Sequence, residues 1–299
     1  MKKMRLHIYI VLGIFLIGFI LGSFLDRQLS DAIFSRDNGF GLTISVIGTL
    51  PGYMVLALLG GSAFALGLHK KYQIPWRVVL YVLAATFVGL SIYFSGREFF
   101  GENGFTNEDL YFLGFIIVIP FAVASFYLGY RLTKASNRGY LWLILGITAV
   151  AIFMALVPGT TLLKSIFNRP RYRTLILYED QIGFHNWWQR CTDRDELMVV
   201  LHLTKEEFKS FPSGHASASA VFMIFASILP LFDEKYEKIQ LPLFYAGFAW
   251  VLLVAFSRIL VGAHFLSDVS MGGILTSVFM LINNEVIIAV RKKFEPQAA

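Results

Sequence analysis

A histidine and an aspartate stand four positions apart near the end of the chain, at His264 and Asp268. On a helix these two side chains would share one face, because residues four apart are neighbours on a helical surface. The carboxylate could then accept a proton from one ring nitrogen and leave the lone pair of the other nitrogen free to attack. Arg258, six positions earlier, adds a donor for an anion. The spacing therefore predicts a nucleophilic histidine, His264, beside an anion site.

A second short motif, Pro212-Ser213-Gly214-His215, precedes a long uncharged run. Ser213 can cap the helix that follows, and the free backbone N–H groups at a helix start form a natural anion site. His215 would then stand beside the bound anion as a proton donor. Taken alone, the motif fits an ordinary capped helix equally well.

A third stretch is unusually basic and carries Lys164, Arg169, Arg171 and Arg173 within ten residues. Long cationic side chains often reach from a membrane span to the membrane surface, which would explain Lys164 but not the whole cluster. Paired arginine donors and a compact lysine charge suit a phosphate group. The cluster therefore favours a phosphate site.

The elements that must position these motifs are strongly apolar. Of the 299 residues, 56% are hydrophobic and 15% are charged, whereas soluble domains carry about 25% charged residues. A helix needs roughly 20 apolar residues to cross a bilayer, and the sequence offers eight such segments. They are Leu6–Leu25, Thr43–Leu68, Trp76–Phe94, Leu110–Leu132, Tyr140–Leu163, Ala216–Phe232, Leu241–Leu260 and Phe265–Val290. This pattern predicts an all-α fold, a polytopic membrane helical bundle of about eight transmembrane helices.

The distribution of charge predicts the orientation of that bundle. The net charge is +6, and the Lys and Arg residues fall mainly in alternate connections, as expected of cytoplasmic segments. Both termini should then be cytoplasmic, and all three motifs lie at the extracytoplasmic ends of their spans. The chain has no basic tail and no alternation of aromatic and basic residues, so a nucleic-acid partner is not expected.

One outer connection, residues 164–215, is far longer than the others. Loops of this length usually have a function or structure of their own. Thr204 and Glu207 match a capping box before Phe208, which predicts a short helix there. Cys191 is the only cysteine, so it has no partner for an internal disulfide and is expected to be an inert surface or interfacial thiol.

Together the three motifs resemble the type 2 phosphatidic acid phosphatase superfamily, which also includes vanadium haloperoxidases and glucose-6-phosphatases. Its signature is Lys, six residues and Arg-Pro; then Pro-Ser-Gly-His; then Ser-Arg, five residues, His, three residues and Asp. The second part is intact at Pro212–His215, and the third is intact over Ser257–Asp268. In the first part the spacing from Lys164 reaches Arg171, but Tyr172 follows in place of proline.

The resemblance implies a role for each of these residues. His264 would attack phosphorus, Asp268 would orient its imidazole, and His215 would protonate the leaving oxygen. The phosphate would be held by Lys164, Arg171, Arg258 and the backbone at Ser213 and Gly214. Arg169, which precedes Pro170, is an alternative to Arg171 because it forms the Arg-Pro pair. Since cations neutralise the phosphate, no metal and no cofactor are expected.

The resemblance also implies an architecture and an activity. Membrane members of the superfamily have a six-helix core, which would occupy residues 73–299, while residues 1–72 would add two N-terminal transmembrane helices. The expected activity is hydrolysis of a lipid phosphate or pyrophosphate at the outer face, through a phosphohistidine. Candidate substrates are undecaprenyl pyrophosphate, phosphatidylglycerol phosphate, phosphatidic acid and diacylglycerol pyrophosphate.

Two alternatives to a hydrolase remain at this point. A lipid phosphotransferase could use the same site and pass the phosphate to an acceptor other than water. A non-catalytic membrane binder or transporter could use the same scaffold, but a catalytic residue would then be expected to be missing. His264, Asp268, His215 and Arg258 are all present, which disfavours that second alternative.

Overall fold

The computed structural model describes residues 2–99 and 111–295, and these residues form helices and connections without a strand. The α-helices are α1 (Lys2–Ile33), α2 (Gly39–Ile47), α3 (Leu50–Gly67), α4 (Ile74–Arg97), α5 (Tyr111–Ala135), α6 (Leu141–Leu156), α7 (Leu163–Phe167), α8 (Tyr172–Leu177), α9 (Arg194–Val200), α10 (Gly214–Ile228), α11 (Glu237–Leu260) and α12 (Leu266–Phe294). The predicted all-α class is confirmed.

Eight segments within the described residues are long and apolar enough to cross a membrane, judged by length and composition. They correspond one to one with the eight predicted spans. Leu110, the predicted start of the fourth span, lies outside the described residues. The predicted second span is two helices, α2 and α3, because the chain turns at Gly48 and Thr49 before Pro51 opens α3. The polytopic bundle is therefore confirmed, with one span interrupted.

Helix α10 lies at the centre of the bundle, in contact with α3, α6, α11 and α12. Its first turns carry an uninterrupted run of alanines and serines, Ala216–Ala220, all of which are buried. Small side chains let neighbouring backbones approach closely, which is how helices associate without a hydrophobic driving force in lipid. The same run follows directly after the Pro-Ser-Gly-His motif, so tight packing of α10 fixes the position of that motif.

The N-terminal spans are integrated into the bundle. Helix α1 packs along α12, and α3 packs against α4, α5 and α10. The division of the chain at residue 72 into an addition and a core stays a prediction, yet the first span contacts the last one along much of its length. Helix α1 is therefore part of the same packed bundle as α12.

Helices α3 and α5 meet through two glycines. A Cβ atom built on Gly61 would lie 1.8 Å from the carbonyl oxygen of Phe126, and one built on Gly129 would lie 1.9 Å from that of Leu58. Real atoms do not approach so closely, so a side chain at either glycine must push the two helices apart. The close approach holds α5 against α3, which in turn contacts α10.

Replacing Gly129 by alanine is expected to lower the free energy of unfolding by roughly 1–3 kcal/mol, because the added methyl group overfills the packed interface. The melting temperature of the detergent-solubilised protein should fall accordingly. Gly146 on α6 is the matched control, since a Cβ there meets nothing within 4 Å. Gly146→Ala should be neutral or stabilising by up to about 1 kcal/mol, because alanine favours the helix. Equal melting temperatures for the two variants would contradict the proposed tight interface.

The long outer loop contains α8, α9 and a 3₁₀ turn at Lys205–Phe208. The predicted capping box is wrong. Thr204 precedes the turn without a side-chain cap, and Glu207 instead pairs with Arg173 at 2.8 Å and hydrogen-bonds Thr174. Because the carboxylate of Glu207 lies close to a buried arginine, it forms this charge-assisted contact instead of the predicted hydrogen bond with the backbone of Thr204.

Candidate active site

The site is assembled where several spans end on the same side of the bundle. The C-terminal ends of α1, α4 and α11 and the N-terminal ends of α10 and α12 all bring polar residues there. These residues are Asp26, Glu98, Lys164, Arg169, Arg171, Ser210, His215, Arg258, His264 and Asp268. The three motifs singled out in the sequence are therefore brought together at one end of the bundle.

A change in helical winding precedes the basic motif. Residues Val157–Leu162 form a π-helical turn that contains Pro158, which has no backbone N–H to give to the preceding turn. Such turns often occur at functional sites. Helix α7 follows and ends at Asn168, which has a left-handed backbone with φ of 48°. This winding places Lys164 beside the start of α10, where its Nζ would lie 3.6 Å from a Cβ built on Gly214.

The Pro-Ser-Gly-His motif opens α10 as the sequence predicts. Ser213 is the N-cap, and its hydroxyl accepts a hydrogen bond from the backbone N–H of Ala216. The backbone N–H of Ser213 itself donates to the carbonyl of Asp268 at 2.9 Å. The predicted cap is confirmed, and it is tied to the start of α12.

His264 lies in the turn before α12 and not on the helix. Its Nδ1 is 2.6 Å from the backbone carbonyl of Ser210, but 3.8 Å from the nearer carboxylate oxygen of Asp268. The expectation that His264 and Asp268 share a helical face is therefore wrong. Because Phe265 caps α12, only Asp268 lies within the first helical turn. Since a carbonyl can only accept, Nδ1 carries the proton and Nε2 keeps its lone pair.

The environment of His264 favours its neutral form. Burial lowers the pKa of His264 well below its usual value, and the positive charges of Arg258, Lys164 and Arg171 lower it further. The nearby Asp268 carboxylate opposes this shift without reversing it. A neutral imidazole with a free Nε2 lone pair is the form that can act as a nucleophile.

Asp268 supports His264 through Ser210. One carboxylate oxygen accepts from the Ser210 hydroxyl at 2.5 Å and from the backbone N–H of Phe265 at 2.8 Å. The backbone carbonyl of the same serine accepts the hydrogen bond from Nδ1 of His264. Asp268 therefore holds the residue that orients the imidazole, and its own charge lies close enough to stabilise a cationic ring.

Arg169 is bound to protein groups through all three of its nitrogen atoms. It donates to Asp268 at 2.5 Å, to Asp26 at 2.9 Å, to the Ser267 hydroxyl at 2.9 Å and to the His185 carbonyl at 2.8 Å. Its guanidinium also lies 4.1 Å from the centre of the Phe265 ring. The side chain is fully buried. This geometry supports Arg171 over Arg169 as the phosphate ligand.

Arg258 and Arg171 have donors that no described protein group uses. Arg258 is 1% exposed, and its Nε and Nη1 have no hydrogen-bond partner among the described residues. Arg171 uses its Nε to donate to the Glu206 carbonyl at 2.9 Å, which leaves its terminal nitrogens for a ligand. Buried donors are almost always paired, so the unpaired donors of Arg258 indicate a place for an anion.

His215 faces a carboxylate that the sequence reading did not single out. Its Nε2 lies 3.2 Å from Glu98, which directly follows α4. Burial on its own would raise the pKa of Glu98, but the charges of His215, Arg97 and Arg258 outweigh it and hold that pKa at about 2. Glu98 is thus a fixed negative charge beside the proposed proton donor.

Three side chains of the outer loop, His185, Cys191 and Asp193, have their potential ligand atoms within 4.8 Å of one another. The expectation of a surface thiol is wrong, because Cys191 is buried. Its thiol donates a hydrogen bond to Asp193 at 3.2 Å. Burial and the adjacent carboxylate raise the pKa of Cys191 to about 12. A metal binds the thiolate, so this protonated thiol is a poor ligand.

Asp26, Glu98 and Ser210 are the site residues that sequence reasoning missed. Asp26 stands near the end of an apolar span, where an ionisable residue is a candidate for function, and that signal could have found it. Ser210 contributes a backbone carbonyl, which no residue type reveals. Glu98 lies in a connection between spans with nothing in the surrounding sequence to mark it.

Comparisons with known proteins find a matching family and a relative. The model of the PAP2 superfamily matches residues 139–287, which include all three motifs. A relative in Haemophilus influenzae, phosphatidylglycerophosphatase B, is 27% identical over 237 residues, covering 73% of this chain and 96% of the relative. No solved structure matches the chain at a significant level.

Proposed function

Because the chain belongs to the PAP2 superfamily, we propose that it is an integral membrane lipid phosphatase that acts through a phosphohistidine on His264. The observation that carries this proposal is the placement of a neutral imidazole beside a cluster of cationic side chains. His264 keeps the Nε2 lone pair free because Nδ1 donates to Ser210, and Arg258 presents unpaired buried donors. A nucleophile beside an anion site fits phosphoryl transfer.

In the first step, Nε2 of His264 attacks phosphorus and the bond between phosphorus and the leaving oxygen breaks. Lys164, Arg171 and Arg258 neutralise the charge on the phosphoryl oxygens, which is the main protein contribution in such reactions. His215 gives its proton to the leaving oxygen. The ring of His264 becomes cationic, and the charge of Asp268, held by Arg169 and Ser210, stabilises it.

In the second step, water attacks the phosphohistidine. His215, now neutral, takes a proton from that water as the bond between phosphorus and nitrogen breaks. Phosphate leaves, and both histidines return to their starting forms. No step in this sequence needs a metal ion, because the three cations supply the positive charge.

The pocket opens on one side. Lys164, Gly214 and His215 are partly exposed, whereas His264, Arg258 and Asp268 are buried. A phosphate group can therefore enter past the first three residues and meet the buried ones. An opening at the end of apolar spans suits a substrate whose tail stays in the bilayer and whose phosphate reaches inward.

The proposed active site faces the extracytoplasmic side of a cell membrane, with both termini in the cytoplasm. The support comes from the connections at the opposite end of the bundle, which are rich in cations and follow the positive-inside rule. These connections contain Lys70 and Lys71, Arg131, Lys134 and Arg138, Lys235 and Lys238, and Arg291, Lys292 and Lys293.

The name of the relative, phosphatidylglycerophosphatase B, makes phosphatidylglycerol phosphate the first substrate to test. The panel should also contain phosphatidic acid, diacylglycerol pyrophosphate and undecaprenyl pyrophosphate. We expect the purified protein to release phosphate from at least one of them in detergent micelles with EDTA present. Release that requires added metal would contradict the proposed mechanism.

The same assay separates hydrolysis from transfer. A lipid phosphotransferase would consume the donor only when an acceptor lipid or sugar is supplied. Release of inorganic phosphate in acceptor-free micelles supports the hydrolase. If folded protein releases phosphate from none of the panel and also fails with acceptors, the proposed function is wrong.

A further inference from the structure

Glu98 and His215 form a partly buried pair at the mouth of the site. The side chain of Glu98 is 14% exposed and that of His215 is 15% exposed, and the two approach within 3.2 Å. Glu98 follows the last turn of α4, whereas His215 lies in the first turn of α10. The ends of two separate helices thus bring a carboxylate to within ion-pair distance of an imidazole. Of the two residues, only His215 belongs to a motif of the sequence.

The charges around His215 are otherwise positive. Lys164 of α7 and Arg258 of α11 both lie close enough to act on it electrostatically, as does Glu98. A cationic imidazole among other cations is disfavoured by their repulsion. Glu98 carries a negative charge that faces the ring. This charge opposes the repulsion between a protonated His215 and the nearby Lys164 and Arg258.

We propose that Glu98 is a positioning residue for proton transfer by His215, forming an ion pair with the protonated ring and opposing the repulsion of the nearby cations until the leaving oxygen takes the proton. The proposal rests on the proposed function and assigns to His215 a carboxylate partner of its own, parallel to the one that Asp268 provides for His264. Glu98 does not touch phosphorus. It acts only through His215.

This role makes a prediction about leaving groups. An alkoxide leaving group, as in phosphatidic acid, needs a proton as the bond to phosphorus breaks, whereas p-nitrophenolate leaves well without one. General acid catalysis contributes about 10²–10⁴-fold when it is needed. Glu98→Gln should therefore lower kcat/KM for phosphatidic acid by about 10–100-fold, and change kcat/KM for p-nitrophenyl phosphate by less than about twofold.

The test uses the full-length protein in detergent with both substrates. His215→Gln should show the same bias towards the aryl phosphate, more strongly. The double variant should be no worse than His215→Gln alone, because Glu98 has nothing to act on once the imidazole is gone. Glu179→Gln, a change of the same chemistry at an exposed carboxylate, should leave both substrates unaffected.

Several outcomes would overturn the proposal. Equal losses on the two substrates would make Glu98 a structural residue, and unchanged activity on both would make it irrelevant. If Glu98→Gln is recovered poorly, Glu98→Asp keeps the charge at a longer distance and should show the same bias to a smaller degree; no bias there also overturns it. Wild-type protein that releases phosphate from none of the lipid panel would instead indicate failure of the proposed function.

Discussion

Replacing His264 by alanine is expected to lower kcat/KM for the best lipid substrate by roughly 10⁴-fold or more, by analogy with the removal of other covalent nucleophiles. The reason is that His264 is the proposed nucleophile, with its Nδ1 proton fixed on the Ser210 carbonyl and its Nε2 left free beside the cations. After rapid acid-free quenching of a reaction with labelled substrate, the wild type should carry base-stable, acid-labile phosphate on histidine. His264→Ala should carry none.

The pH dependence gives a second test of the same residue. Protonation of Nε2 removes the lone pair, so activity should fall as pH falls through the pKa of His264. Because burial and the surrounding cations lower that pKa well below its usual value, the acid limb of kcat/KM should lie well below pH 6.5. An acid limb at or above that value would contradict a neutral, buried nucleophile.

His69→Ala is the matched control for both experiments. His69 is exposed in the connection between α3 and α4, at the opposite end of the bundle from the site. Its replacement should leave the rate, the labelling and the pH profile unchanged. If His264→Ala kept the activity of this control, another residue would have to be the nucleophile, and the mechanism would be wrong.

Replacing Arg169 by methionine is expected to destabilise the protein by about 3–5 kcal/mol and to remove activity with it. The guanidinium lies between two buried carboxylates, Asp26 and Asp268, and its loss leaves both without their cationic partner. Removing one member of a buried ion pair has an effect of this size. Thermal unfolding in detergent, followed by intrinsic fluorescence, measures the stability, and phosphate release measures the activity.

Two further variants make this result specific. Adding Asp26→Asn to Arg169→Met removes one of the two unpaired charges, so the double variant should be more stable than Arg169→Met alone. Arg27→Met removes a neighbouring arginine whose ion pairs with Asp31 and Glu179 lie at the surface, and such pairs contribute only about 0–1 kcal/mol. A double variant less stable than the single one would disprove the proposed bridge.

The spans and the histidines were accessible from sequence because their signals are local. An apolar run of sufficient length needs a bilayer whatever surrounds it, and the motif at Ser213 is completed by Ala216, three residues away. Residue type and short spacing carry all of this information.

The residues that hold the site in place could not be predicted from the sequence, because their contacts join distant parts of the chain. Asp26 and Ser267 are 241 positions apart, and only the packing of α1 on α12 brings them together. The expected contact between His264 and Asp268 failed for a related reason. Spacing by four predicts a shared helical face only if the helix includes both residues, and α12 begins after His264.

The bridge from Asp26 to Arg169 and Ser267 also sets an order of events during biosynthesis. Helix α1 is synthesised first and α12 last. Asp26 can therefore contact Ser267 only after nearly the whole chain has been made. An isolated carboxylate is unfavourable inside a bilayer, which leaves it at the aqueous surface until then. The ion pairs around Arg169 can therefore be complete only after α12 has been made, and a chain that stalls before α12 is expected to lack the proposed activity.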